Sequence, residues 1–141
     1  MKDFNKFVIL IYLYIFELSL DLVTNKCYQK LENKDKYKFN IILLLHHVIS
    51  VFAQFGWIFN NKKILILYII QNSIILLHWM TNKGKCFITV IINKLCKQDY
   101  QNKYISFDDL PKKLGIKFLS PLLIIGGIFI AIYKLVCHKD C

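Results

Sequence analysis

Residues 39–59 of the chain read FNIILLLHHVISVFAQFGWIF, and this stretch decides the predicted fold. It contains no lysine, aspartate or glutamate, and its length falls within the ~17–25 residues that a helix needs to cross the hydrocarbon core of a membrane. Residues 7–24, 64–80 and 118–136 are apolar stretches of similar length, with a lysine only at Lys134. We therefore predict an all-α protein, a four-helix transmembrane bundle.

The segments between the four stretches are polar and fit the role of connections. Residues 25–38 and 81–117 are rich in lysine, whereas residues 60–63 are short enough for a tight helical hairpin that begins with two asparagines. Within the longest connection, residues 86–95 form an apolar run that is too short to span a membrane, which predicts an interfacial helix. The 141 residues thus form a single membrane domain.

The composition points to lipid as the partner. The chain is 56% hydrophobic and carries a formal net charge of +10, and all 19 of its basic residues are lysine. Arginine is the side chain favoured for bidentate contacts with phosphates and bases, so its absence argues against nucleic acid. Lysines that flank membrane helices instead meet anionic headgroups.

The distribution of lysines predicts the orientation. Connections 25–38 and 81–117 carry 13 lysines together, against six in the two termini and the hairpin. Because loops that stay in the cytoplasm carry an excess of lysine, we expect these two connections to be cytoplasmic and both termini to lie outside.

A set of polar residues lies inside the apolar stretches. An ionisable side chain at the centre of a membrane helix costs at least ~2.5 kcal/mol, so it is retained with partners or with a purpose. Depth places Glu17, Asp21, His46, His47 and His78 in one leaflet, and helical spacing places the polar residues of each helix on a face that turns toward the others. The predicted intramembrane cluster comprises Glu17, Asp21, His46, His47, Gln54, Gln71 and His78.

Three interpretations of this cluster stay open. The first is a network of interhelical hydrogen bonds with no cofactor, in a protein that is not an enzyme. The second is a proton relay or a path for a small solute. The third is a redox protein or enzyme that holds zinc, iron or haem through His47, His78 and Glu17, because imidazole and carboxylate groups suit these metals.

The last apolar stretch contains a pair of small residues four apart. Gly127 and Ala131 form a face that lets two helices approach closely. This face predicts either packing within one bundle or the association of two copies into a homo-oligomer.

Residues 78–89, HWMTNKGKCFIT, follow a region that contains His47, Phe52 and Gly56. Over residues 44–96 the chain resembles small uncharacterised multi-pass membrane proteins of large double-stranded DNA viruses of protists. It is more distantly similar to a bacterial four-helix membrane family of unknown function that has a Cys-Pro-Leu-Thr motif. In this chain, Phe87 stands where that motif has its proline.

The resemblance implies a fold and a membrane location. It implies importance for His47, Cys86 and Thr89 without assigning them a role. We accordingly expect a viral protein that is a structural or accessory component of a virion or host membrane.

Overall fold

The computed structural model describes residues 3–24, 31–82, 86–96 and 119–137. This part of the chain is helical and contains no strand. The helices are α1 (Asp3–Thr24), α2 (Asn33–Phe55), α3 (Lys62–Thr81), α4 (Phe87–Leu95) and α5 (Leu119–Cys137), and a 3₁₀ turn at Gly56–Ile58 follows α2.

The predicted helices are present, but several are longer than the apolar stretches that predicted them. α1 begins at Asp3 rather than near residue 7, and α2 begins at Asn33, six residues before the apolar stretch. Lysine is a good helix former, so lysine-rich segments continue a helix beyond its apolar part. Hydropathy therefore located the apolar section of each helix and not its ends.

Three of the described helical segments are long and apolar enough to cross a membrane. They are Asn33–Ile58 with 26 residues, Lys62–Thr81 with 20 and Ser120–Cys137 with 18. These segments are compatible with a membrane protein. The fourth expected span, residues 7–24, belongs to α1, and its passage through a membrane stays a prediction.

Among the described residues, many large apolar side chains are exposed and several polar or charged ones are buried, which is unusual for a water-soluble protein. Large apolar side chains cover the outside, with Leu67 58% exposed and Phe129 68% exposed. Charged and polar side chains lie inside, whereas in water such groups are mostly exposed. The buried polar residues are Lys6, Glu17, Asp21, His46, His47, Ser50 and Asn72. This arrangement suits a hydrocarbon environment.

α2 is the central helix, because α1, α3, α4 and α5 all pack against it. Near its beginning, Phe39 and Leu43 contact Ile92 of α4, with leucines of α1 around them. Near its end, Phe52 and Trp57 pack against a second cluster, which contains Tyr68 of α3 and Ala131 of α5. The two clusters lie at opposite ends of the helix.

Contacts at the hairpin bring both ends of the helical chain together. The backbone N–H of Asn60 lies 3.4 Å from Oδ1 of Asp3, and the rings of Phe7 and Phe59 are 4.5 Å apart. Lys134, near the end of α5, also reaches the hairpin. The beginning of α1, the hairpin and the end of α5 therefore share one end of the bundle, and α4 lies toward the other.

The small-residue face of α5 packs against α3 of the same chain. A side chain at Gly127 would collide with the hydroxyl of Tyr68 and the ring of Trp57, and Ala131 is fully buried one turn later. Gly126, its neighbour, has nothing within 4 Å of the position of a Cβ atom. Gly127 is thus required for the close approach of the two helices.

We expect Gly127→Ala to lower the free energy of unfolding by about 1–3 kcal/mol, as overpacking does in a filled interior. Gly126→Ala is the matched control, and it should be neutral or stabilising because alanine is the better helix former. Thermal unfolding in detergent measures both. Equal effects of the two substitutions would contradict the role of Gly127 in packing.

Candidate functional site

Three ionisable side chains meet between α1 and α2. Glu17 and Asp21 are four residues apart, so they lie on one face of α1, one turn from each other. His47 of α2 lies between their carboxylates. Each of the three residues is only 2% exposed. We call Glu17, Asp21 and His47 the charged cluster.

The imidazole ring of His47 presents one nitrogen to each carboxylate. Its Nδ1 lies 3.4 Å from Oε2 of Glu17, and its Nε2 lies 2.9 Å from Oδ2 of Asp21. The shorter contact has the distance of an ion pair but not the alignment of a linear hydrogen bond. We therefore treat it as a close electrostatic contact that joins α1 to α2.

His46 lies beside the charged cluster and is also buried. Its ring stacks on that of His47, with 5.7 Å between the ring centroids and 21° between the planes. Two adjacent residues of a helix point about 100° apart, so both rings can be buried only where neighbours cover a wide part of α2. α1 and α4 supply that cover.

Side-chain amides make further polar contacts along α2, between the charged cluster and the hairpin. Gln54 donates to Oγ of Ser50 within the helix at 3.2 Å. Gln71 of α3 donates to the carbonyl of Ile49 at 3.2 Å, and Asn72 donates to the carbonyl of Ala53 at 3.3 Å. The last two bonds cross from α3 to α2 and hold these helices together. Asn72, which is fully buried, was not among the predicted site residues.

His78, predicted as a member of the cluster, makes its side-chain contacts elsewhere. Its Nε2 lies 3.3 Å from Nδ2 of Asn82, and its ring meets the ring of Phe87 edge-on at 6.3 Å. His78 therefore links the end of α3 to the beginning of α4. Glu17, Asp21, His46 and His47 come together, and His78 contacts other residues.

The charged cluster has the geometry of nitrogen–oxygen contacts rather than of ligands that converge on one point. Each ring nitrogen of His47 already faces a carboxylate oxygen. In the described part of the chain, no group of three or more His, Cys, Asp or Glu residues is placed to hold a metal ion. The zinc, iron or haem alternative stays a prediction.

Lys134 binds the hairpin, a contact that the sequence did not predict. Its ammonium donates to the carbonyls of Trp57 and Phe59 at 3.0 and 3.2 Å, and to Oδ1 of Asn60 at 3.1 Å. These are carbonyls that a helix leaves without partners where it ends. The sequence signal for this contact was the position of Lys134 as a single lysine within the apolar stretch 118–136.

The cysteines at the two ends of α4 differ in state. Cys86 precedes α4 and is a free thiol. The resemblance to known membrane proteins implied that it is important. Its carbonyl accepts a hydrogen bond from the N–H of Val90 at 3.1 Å. Cys96, just after α4, is disulfide-bonded. Thr89 lies on the first turn of α4 and is partly buried.

Comparisons with known proteins give no further assignment. No protein-family model, no curated protein and no solved structure matches the chain.

We expect Lys134→Met to destabilise the bundle by about 1–3 kcal/mol, because it removes charged hydrogen bonds and retains the apolar stem. Lys63→Met is the matched control, since Lys63 is an exposed lysine beside the same hairpin. Unfolding in detergent measures both. A Lys134 variant as stable as the Lys63 variant would show that water caps these carbonyls equally well.

Proposed function

We propose that the chain is a multi-pass integral membrane protein with a structural or accessory role, in which the charged cluster fixes α1 to α2 inside the bilayer. One observation carries this proposal: ionisable residues are buried while large apolar residues cover the surface. The resemblance to viral membrane proteins suggests a virion or host membrane as its location.

The bilayer gives the charged cluster its structural role. Apolar helix surfaces gain little by leaving lipid for one another, so association in a membrane depends on close packing and on polar contacts. α1 exposes apolar side chains around most of its surface and buries Glu17 and Asp21 against His47. These contacts select one rotation and one depth of α1 against α2.

A second candidate function, a proton-binding one, is favoured by the position of His47 between two carboxylates. It shares the same membrane setting and the same residues. It differs from a purely structural role in requiring that the cluster exchange a proton.

Two free cysteines within the described ranges, Cys86 and Cys137, allow a direct test of membrane passage. Cys86 lies by α4, and Cys137 ends α5 three residues after Lys134, so they belong to opposite ends of the bundle. In cells that display the chain at the plasma membrane, we expect an impermeant thiol reagent to modify one of them, and both after permeabilisation. Mass spectrometry of the wild-type chain identifies the modified cysteine. Modification of both without permeabilisation would reject the membrane-spanning proposal.

The same experiment decides the orientation. The excess of lysine in residues 81–117 predicts that Cys137 reacts from outside and Cys86 does not. The disulfide at Cys96 favours the opposite orientation, because disulfides persist in oxidising compartments and are rare in the cytosol. Reaction of Cys86 alone would reverse the orientation that the lysines predict and leave the proposal of a membrane protein intact.

We expect His47→Leu to lower the free energy of unfolding by about 3 kcal/mol or more, since it removes a buried imidazole that contacts two buried carboxylates. His78→Leu is the matched control, and it should cost about 1 kcal/mol or less, because it removes one hydrogen bond to Asn82 at the end of the same helix. Thermal unfolding in detergent compares them. If the two variants lose equal stability, the charged cluster is not the main contact between α1 and α2.

A further inference from the structure

We propose that the hairpin end of the bundle contains a binding site for a monovalent cation, and that the ammonium of Lys134 is its tethered occupant. The site consists of the carbonyl oxygens of Trp57, Ile58 and Phe59 together with Oδ1 of Asn60. We call these four atoms the hairpin oxygens. The ligands that they would take from solution are K⁺ and NH₄⁺. This inference stands on the contacts of Lys134 and does not require the membrane proposal.

The hairpin oxygens converge on one point. Nζ of Lys134 lies 3.0, 3.4 and 3.2 Å from the carbonyl oxygens of Trp57, Ile58 and Phe59, and 3.1 Å from Oδ1 of Asn60. An ammonium group has three hydrogens, so it cannot give a separate hydrogen to each of four acceptors. The oxygens therefore surround the charge as ligands surround a metal ion.

The chemistry of the hairpin oxygens suits an ion with a single charge. Three are backbone carbonyls and one belongs to an amide, so none carries a formal charge. Protein sites for Ca²⁺ and Mg²⁺ draw on carboxylates at shorter distances of ~2.0–2.6 Å, whereas backbone carbonyls alone hold K⁺ in channel filters. K⁺ and NH₄⁺ share the charge of the lysine ammonium and are close to each other in size. A set of neutral oxygens that holds the ammonium thus has the properties needed to hold either ion.

The local sequence explains why these oxygens gather here. The end of a helix leaves its last carbonyls without N–H partners in the same helix, and the 3₁₀ turn Gly56–Ile58 ends this one. The backbone becomes extended at Phe59, with φ −65° and ψ 157°. Asn60 adds a side-chain oxygen, whereas Oδ1 of Asn61 caps α3 by accepting from the N–H of Lys63 at 2.9 Å. The two asparagines of the hairpin therefore have different roles.

The nearby carboxylate does not contact the ammonium of Lys134. Oδ1 of Asp3 lies 3.4 Å from the backbone N–H of Asn60 and 3.0 Å from Nζ of Lys6. Among the described residues Lys134 forms no ion pair, so the hairpin oxygens hold its charge. Asn60 is exposed and Lys134 is half-buried, which lets a dissolved ion reach the site.

The test removes the tethered occupant and supplies a free one. Lys134→Met ends one atom short of the position of the ammonium and so leaves that position open. The full-length variant is unfolded thermally in detergent with equal concentrations of KCl, NH₄Cl or tetramethylammonium chloride, whose cation has no N–H and is much larger. We expect K⁺ and NH₄⁺ to stabilise the variant saturably, and to raise the ratio of folded to unfolded protein about elevenfold at ten times the dissociation constant.

Two kinds of control separate binding from a general effect of salt. In wild type and in Lys63→Met the ammonium of Lys134 fills the site, so K⁺ and tetramethylammonium should act equally. Adding Asn60→Leu to Lys134→Met removes one of the hairpin oxygens, and the affinity for K⁺ should fall about tenfold, as for the loss of one contact to a charged group. If Lys134→Met responds equally to all three salts, water serves these carbonyls and the proposal is wrong.

Refolding covers the case in which Lys134→Met does not fold without a ligand. The denatured variant is diluted into detergent with each of the three salts, and Lys63→Met is treated in the same way. Recovery in K⁺ or NH₄⁺ but not in tetramethylammonium would support the site. Failure in all three salts, while Lys63→Met refolds in each, would overturn it. Neither result alters the thiol labelling that tests the membrane proposal, so the two failures are distinguishable.

Discussion

The contact of His47 with two carboxylates of α1 is the interaction on which the rest of the arrangement depends. Three ionisable groups can be buried in an apolar bundle only if they satisfy one another, because each alone would carry a large desolvation cost. That requirement fixes which face of α1 meets α2. Since α2 also contacts α3, α4 and α5, the rotation of this helix sets the positions available to all the others.

Two kinds of contact complete the bundle around α2. Amides of Gln71 and Asn72 bond carbonyls of α2, while Gly127 and Ala131 let α5 approach Tyr68 closely. Neither kind relies on moving apolar surface out of water, so both would also hold helices together in a hydrocarbon environment. Apolar clusters lie at the two ends, and polar contacts occupy the region between them.

The sequence was sufficient to predict the helices and the meeting of Glu17 with His47, because depth and helical face follow from spacing alone. It was not sufficient for His78, whose partner Phe87 lies on a short helix with a placement that spacing does not define. Lys134 was missed for a related reason: its long side chain reaches backbone carbonyls, which leave no pattern among side chains. The span formed by residues 7–24 and the side on which each connection lies remain predictions.

The contacts of Lys134 have a consequence for biogenesis. The carbonyls at the end of α2 leave the ribosome early, whereas the ammonium that binds them belongs to the last helix, more than 70 residues later. Until that helix has been made, these carbonyls must bond to water or to other groups. The hairpin end is therefore complete only when the last described helix is present, and a product truncated before α5 would lack the ammonium that binds these carbonyls.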